Sequence, residues 1–111
     1  MRELTTFTRD FRDGSGPITY YGRRMNLNEA ITIESHKKFV VTFDDDGNKV
    51  QTVSNAAEWL MHMFLTLAKD EAGQRMFGRA ADADRVRTAF NPKAVFDAAI
   101  ELQDLEDDPG N

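Results

Sequence analysis

The sequence predicts an α+β domain: a small antiparallel sheet of three to four strands, packed by a central apolar helix and two to three further helices. Three observations carry this expectation. Residues 56–68 read AAEWLMHMFLTLA, apolar on nearly every side of a helix. Residues 39–43 and 49–53 flank an Asp-Gly dipeptide, a strong hairpin signal. Strand-like segments precede helical ones along the chain, which argues for helices on one face of an antiparallel sheet.

Composition sets the frame. A chain of 111 residues suffices for a single domain over 1–111. With 41% hydrophobic and 30% charged residues it belongs with globular rather than disordered chains. The lack of cysteine excludes disulfides, thiolate nucleophiles and cysteine metal ligands, and fits a reducing compartment. The start, MRELTTFTRDF, has no apolar run of signal-peptide type, and the apolar segment at 56–68 is too short to span a bilayer. The expectation is therefore a soluble cytoplasmic protein without a membrane partner. The net charge of -5 is uneven: residues 1–40 hold seven Lys/Arg against five Asp/Glu, whereas residues 41–111 hold seven against fourteen. Such a C-terminal half is a poor general binder of phosphate backbones.

The elements follow in order. Thr5 to Thr8 and Ile18 to Tyr21 have the β-branched and aromatic content of strands. Asp13-Gly14-Ser15-Gly16-Pro17 between them is a loop, so residues 1–25 read as a hairpin or an arm. Ile31 and Ile33 alternate with Thr32 and Glu34, suggesting a half-buried strand that ends near His36-Lys37. Phe39, Val41 and Phe43 alternate in turn. With Asp46-Gly47 central, Asp44 faces Lys49, Phe43 faces Val50 and Thr42 faces Gln51, so like meets like and charge meets charge. A three-residue loop would set Phe43 against Lys49. The first register is adopted, pointing Phe39, Val41, Phe43 and Val50 into the core.

The central helix opens at Asn55, with Glu58 three residues on to complete a capping box. Its polar residues Glu58, His62 and Thr66 recur every fourth position and share one narrow line. Glu71 to Phe77 reads as a short helix stopped by Gly78. Asp82 to Phe90 is a further helix with Ala83, Val86, Ala89 and Phe90 on one face, its acidic start suiting the helix dipole. Asn91-Pro92 supplies a cap and an N1 proline for the last helix, whose stripe is Val95, Ala99 and Leu102 with Phe96 and Ile100 beside it. Residues 106–111 form an acidic tail.

Few patterns point to chemistry. An EF-hand loop with Gly47 at its sixth position would begin at Thr42 and end at Val53, where carboxylates are required, so Asp44 to Asp46 reads as a turn and no metal is expected. No HExxH, GxSxG, GxGxxG or Walker A pattern occurs, and no cofactor is expected. Glu58 and His62 offer a Glu-His pair on one helix face, suited to general-base work or to sensing pH. Arg75, Arg79, Arg85, Arg87 and Lys93 cluster in sequence, with Tyr20 and Tyr21 as stacking groups for a nucleic acid; a solvated, ion-paired helix face explains the same residues. The acidic runs 44–46 and 104–108 suit a basic partner or plain solubility.

The order of elements over residues 37–102 resembles a family of short uncharacterised bacterial proteins found widely in nitrogen-fixing soil bacteria. The resemblance rests on Val53-Ser54-Asn55-Ala56-Ala57-Glu58 and Ala94-Val95-Phe96-Asp97-Ala98-Ala99. The family's Trp-Pro after the helix has no counterpart, Trp59 lying within the helix instead. The resemblance implies the fold and no catalytic residue.

The leading expectation is a small non-enzymatic protein acting through protein–protein contacts, accessory or regulatory, and homodimeric. Its partner-binding residues would be Trp59, Met61, Met63, Phe64 and Leu65, because the apolar helix offers more surface than a three-stranded sheet covers. The alternative is a nucleic-acid-binding module using Arg75, Arg79, Arg85 and Arg87. A second alternative is an enzyme using Glu58 and His62.

Overall fold

Phe7, Phe11 and Tyr20 of the first hairpin meet Phe64, Phe77 and Phe90 in one cluster, and the helices are arranged round it. In this computed structural model, which describes residues 4–105, the elements run β1 (Thr5–Asp10), β2 (Pro17–Gly22), α1 (Leu27–Ser35), β3 (Phe39–Phe43), β4 (Lys49–Val53), α2 (Ala56–Leu67), α3 (Ala80–Ala89) and α4 (Pro92–Gln103). The acidic tail at 106–111 lies outside the described residues.

The α+β class holds, but the single sheet does not: β1–β2 and β3–β4 form two separate two-stranded antiparallel sheets. The missing strand is the segment from Ala30 to near His36-Lys37, expected to be extended; it is helical as far as Ser35, the last residue of α1, and His36 is the C-cap. Asn26 and Glu29 explain why. The Asn26 side chain accepts from the Glu29 N–H (2.8 Å) and the Glu29 carboxylate from the Asn26 N–H (3.0 Å), a reciprocal capping box that nucleates a helix. Ile33 then faces the core, 2% exposed, while Ile31 stands in solvent.

Phe11 sits at the bend between β1 and β2. Its ring stacks on Phe90 (centroids 4.6 Å apart) and tilts against Phe64 and Tyr20. Its carbonyl accepts from Asn91 N–H (2.8 Å), fixing the entry to α4. Phe77 closes the cluster against Phe64 and Phe90. Such aromatic pairs each add about 0.5–1.5 kcal/mol beyond area burial. Tyr20 is fully buried here, which corrects its candidacy as a nucleic-acid stacking group.

Helix α2 is covered by this cluster, by Ile33 of α1 and by Val95, Ala98, Ala99 and Leu102 of α4. The expectation that β3–β4 covers it is wrong. Every residue of β3 and most of β4 is exposed, including Phe39, Val41, Phe43 and Val50. The radius of gyration is 15.9 Å, against about 13 Å for a compact chain of this length, as a hairpin standing off the core requires.

The hairpin register also differs. Phe43 pairs with Lys49, Thr42 with Val50 and Val41 with Gln51, the arrangement that sequence pairing had disfavoured. The loop decides it. The Asp44 carboxylate accepts from the N–H groups of Asp46 (2.9 Å) and Asn48 (2.8 Å), the Gly47 N–H bonds the Asp44 carbonyl, and Gly47 takes φ of 81°. That is a type I turn followed by a left-handed glycine, a three-residue loop.

The structure departs from the sequence expectation at the start of α2 and over residues 71–77. Asn55 makes no side-chain cap for α2; its amide donates to the His36 carbonyl (2.6 Å) and its oxygen accepts from Lys38 N–H (2.8 Å), so it ties the hairpin base to the end of α1. Residues 71–77 form no helix. The Asp70 carboxylate gathers the N–H groups of Ala72 and Gln74, and a turn through Gly73 (φ 84°) returns the chain to pair Lys69 with Arg75. The last helix matches its sequence signals: Asn91 accepts from Ala94 N–H (3.1 Å), and Pro92 occupies the first turn.

Candidate functional site

The polar line of α2 divides into three environments. Thr66 is buried, and its carbonyl accepts from the Lys69 ammonium (2.9 Å). Lys69, itself 4% exposed, also bonds the Glu29 carboxylate, which Arg23 reaches from the other side (2.8 Å). Burial pushes the Glu29 carboxyl up, but the bonds from Lys69, Asn26 and Arg23 outweigh it and hold Glu29 below its ordinary value. This cluster clamps α1 to the end of α2, and the paired backbones of Tyr21 and Lys69 carry the tie into β2.

Glu58 and His62 occupy the outer two environments. Arg87 of α3 grips Glu58 with both guanidinium nitrogens (2.9 and 2.8 Å), which holds the Glu58 carboxyl at about 2. His62 Nε2 lies 3.3 Å from Glu58. On its other side the His62 ring lies flat on His36, centroids 3.6 Å apart and planes within 7°. Burial and then the neighbouring His36 charge lower the His62 pKa, against the opposing pull of Glu58. Next to this stack the Lys37 ammonium sits 4.2 Å from the Trp59 ring centroid, a cation–π contact at the hairpin base.

Below Glu58 and Arg87 lies a cleft of about 180 Å³ with apolar walls that include Met61, Val86, Phe90, Val95 and Phe96. Chemically the cluster is a chain of mutually satisfied groups. The Glu58 carboxylate is committed to Arg87, and His62 is flanked by an imidazole and a carboxylate. Among the described residues no group of three or more His, Asp or Glu side chains is placed to hold a metal ion.

The residues expected to bind a partner lie mostly inside. Met61, Met63 and Phe64 are core residues at 7%, 1% and 0% exposure, and Trp59 and Leu65 are half-buried against them. Met61, Met63 and Phe64 build the domain interior, and the large exposed apolar side chains are elsewhere, on β3–β4, on Leu27 and Ile31 of α1 and at Ile100 of α4. The sequence signal for the β3–β4 surface was the hairpin pattern itself, which reads as a core face until the sheet partner is lost.

Of the arginines considered for nucleic acid, Arg87 is committed to Glu58 and Arg79 to Asp82 (3.3 Å). Arg85 binds Asp13 (2.7 Å) and Ser15 across the first hairpin and lies over the Phe90 ring. Arg75 is exposed at the turn beside Lys69. Three of the four therefore meet carboxylates rather than forming a free cationic stripe. Among the described residues no helix is long and apolar enough to cross a membrane. No family model, curated protein or solved structure matches the chain.

Proposed function

We propose that the protein works through protein–protein contact rather than catalysis, as a self-associating accessory or regulatory module whose docking element is the β3–β4 hairpin. One observation carries this reading. Phe39, Val40, Val41, Phe43 and Val50 are 37–65% exposed on a two-stranded sheet that no other element of the described chain covers. An isolated two-stranded hairpin is at best marginally stable in water and gains stability from further strands or a covered face. An uncovered apolar edge strand is also a template for pairing, which natural chains usually blunt. A second copy of the chain supplies both an apolar surface and an open strand of the same kind.

The test is mass in solution. Light scattering across a concentration series is expected to show a rise from 12.6 kDa toward twice that value. Val41→Lys, placed at an exposed position outside the core, is expected to hold the protein at monomer mass with its fold intact by circular dichroism. A monomer at every concentration overturns the reading.

A further inference from the structure

The hairpin has a direction to its open bonds. At its base the Ser54 N–H donates to the Lys38 carbonyl (2.8 Å), and at its tip the Asp44 N–H donates to the Asn48 carbonyl (3.0 Å). With the observed register, the inward-bonding residues of β3 are therefore Val40 and Thr42, opposite Thr52 and Val50. Phe39, Val41 and Phe43 direct their N–H and C=O groups away from β4, into the open edge. Their side chains share one face of the strand and are 51%, 56% and 65% exposed.

We propose that two copies join edge to edge through β3, antiparallel, about a two-fold axis at Val41, making a four-stranded sheet in the order β4, β3, β3, β4. This deepens the self-association proposed above and rests on it. Three features select the arrangement. An isologous pairing must place each contact twice, and an axis at Val41 is the one that sets every outward N–H and C=O of Phe39, Val41 and Phe43 against a partner. Phe39 then lies opposite Phe43 of the second copy, and Val41 opposite Val41, so each apolar side chain gains an apolar neighbour. The same register brings Lys38, just before β3, opposite Asp44, just after it, of the second copy. The basic foot of each hairpin thus meets the acidic tip of the other.

Pairing through β4 lacks this match. There the outward residues are Lys49, Gln51 and Val53, and an axis at Gln51 sets Lys49 against Val53.

The chain contains no cysteine, so single cysteines report the register cleanly. Val41→Cys and Phe39→Cys are compared under mild oxidation at the same micromolar concentration, the two sites having nearly equal exposure. Cysteines at position 41 would face each other at about the 5.5 Å Cα spacing of a hydrogen-bonded pair, within disulfide reach. Those at position 39 would lie several residues apart along the two strands. Because facing thiols react at a local concentration in the millimolar range, Val41→Cys is expected to form covalent dimer on the order of a hundredfold faster than Phe39→Cys. A mixture of Phe39→Cys and Phe43→Cys chains is expected to cross-link to each other rather than to themselves. Equal rates at 39 and 41 in a protein that light scattering shows to be dimeric overturn this register and leave self-association standing. A monomer by light scattering overturns both.

Discussion

His36 and His62 lie face to face, their centroids 3.6 Å apart, joining the segment after α1 to the outer face of α2. Protonating both rings at that separation sets two positive charges against each other in a half-buried place. The groups facing His62 are His36, Glu58 and, through Glu58, Arg87. Its pKa falls below the ordinary 6.5 because burial, followed by the His36 charge, disfavours the cation. The unfolded chain therefore takes up this proton more readily than the folded one. Folding stability contributed by neutral His62 is fully present above pH 6.5 and is lost as pH falls through the lower folded value. Urea unfolding of His62→Gln at pH 8 and pH 5 is expected to show a smaller drop than the native chain. Equal drops in the two proteins would count against any pH-sensing role for the stack.

Acid acts on a different pair. Arg87 holds the Glu58 carboxyl at about 2, against an ordinary 4.5. The sign is that of a depressed acid: the stabilisation is present above pH 4.5 and disappears as pH falls toward 2. Replacing Arg87 by Leu removes the grip, so the variant is expected to be less stable near pH 6 and to lose less further stability between pH 4.5 and 2. Trp59, the chain's single tryptophan, lies one residue from Glu58 and gives the fluorescence signal for both unfolding series. Parallel acid profiles for the two proteins would show that the ion pair contributes nothing in solution.

Glu29 makes the cost of a buried charge measurable. It is 7% exposed and held by Lys69 from within and Arg23 from the rim. Lys69→Met keeps the length of the side chain but leaves the carboxylate with Arg23 and the Asn26 N–H. Removing one partner of a buried pair costs about 3–5 kcal/mol, and the remaining Arg23 places this variant at the lower end. The double variant Glu29→Gln, Lys69→Met is expected to recover part of that loss, since the unpaired charge is gone. A single variant as stable as the native chain would show that the pair is not what holds α1 to α2.

Where the sequence was legible, a local pattern had no competitor. Residues 56–67 are helical as the four-residue spacing of Glu58, His62 and Thr66 over a segment too long for a typical strand indicates, and Asn91-Pro92 signals a start that the structure uses. Residues 30–37 show the opposite case. The alternation of Ile31 and Ile33 competed with the Asn26-x-x-Glu29 capping pattern, and the cap, which satisfies two backbone N–H groups, won. That one exchange of strand for helix removed the third strand and left the hairpin outside the core. The register turned on the Asp44 carboxylate binding the loop N–H groups, a local bond that outweighed cross-strand pairing by type. The Glu58–His62 pair was readable from helical spacing. Its partners Arg87 and His36 were not, because tertiary packing alone brings α3 and the end of α1 to that face.

Gly22 gives the sharpest test of how the first hairpin is held. It ends β2 opposite Thr5, and a methyl group there would meet Leu102 Cδ2 at 2.5 Å and Leu105 Cδ1 at 2.8 Å. Its backbone is one that alanine adopts freely, so the obstacle is space alone. Leu102 is 1% exposed and has no room to yield, whereas Leu105 is half-buried and has some. Gly22→Ala is therefore expected to destabilise by about 1–3 kcal/mol, the usual cost of overpacking. Shortening the obstructing side chain, as in Gly22→Ala with Leu102→Ala, should make the two losses less than additive, because each change relieves the other. Thermal unfolding of the two single variants and the double variant measures the coupling. Strict additivity would mean that β2 and α4 are not in contact at this point in solution.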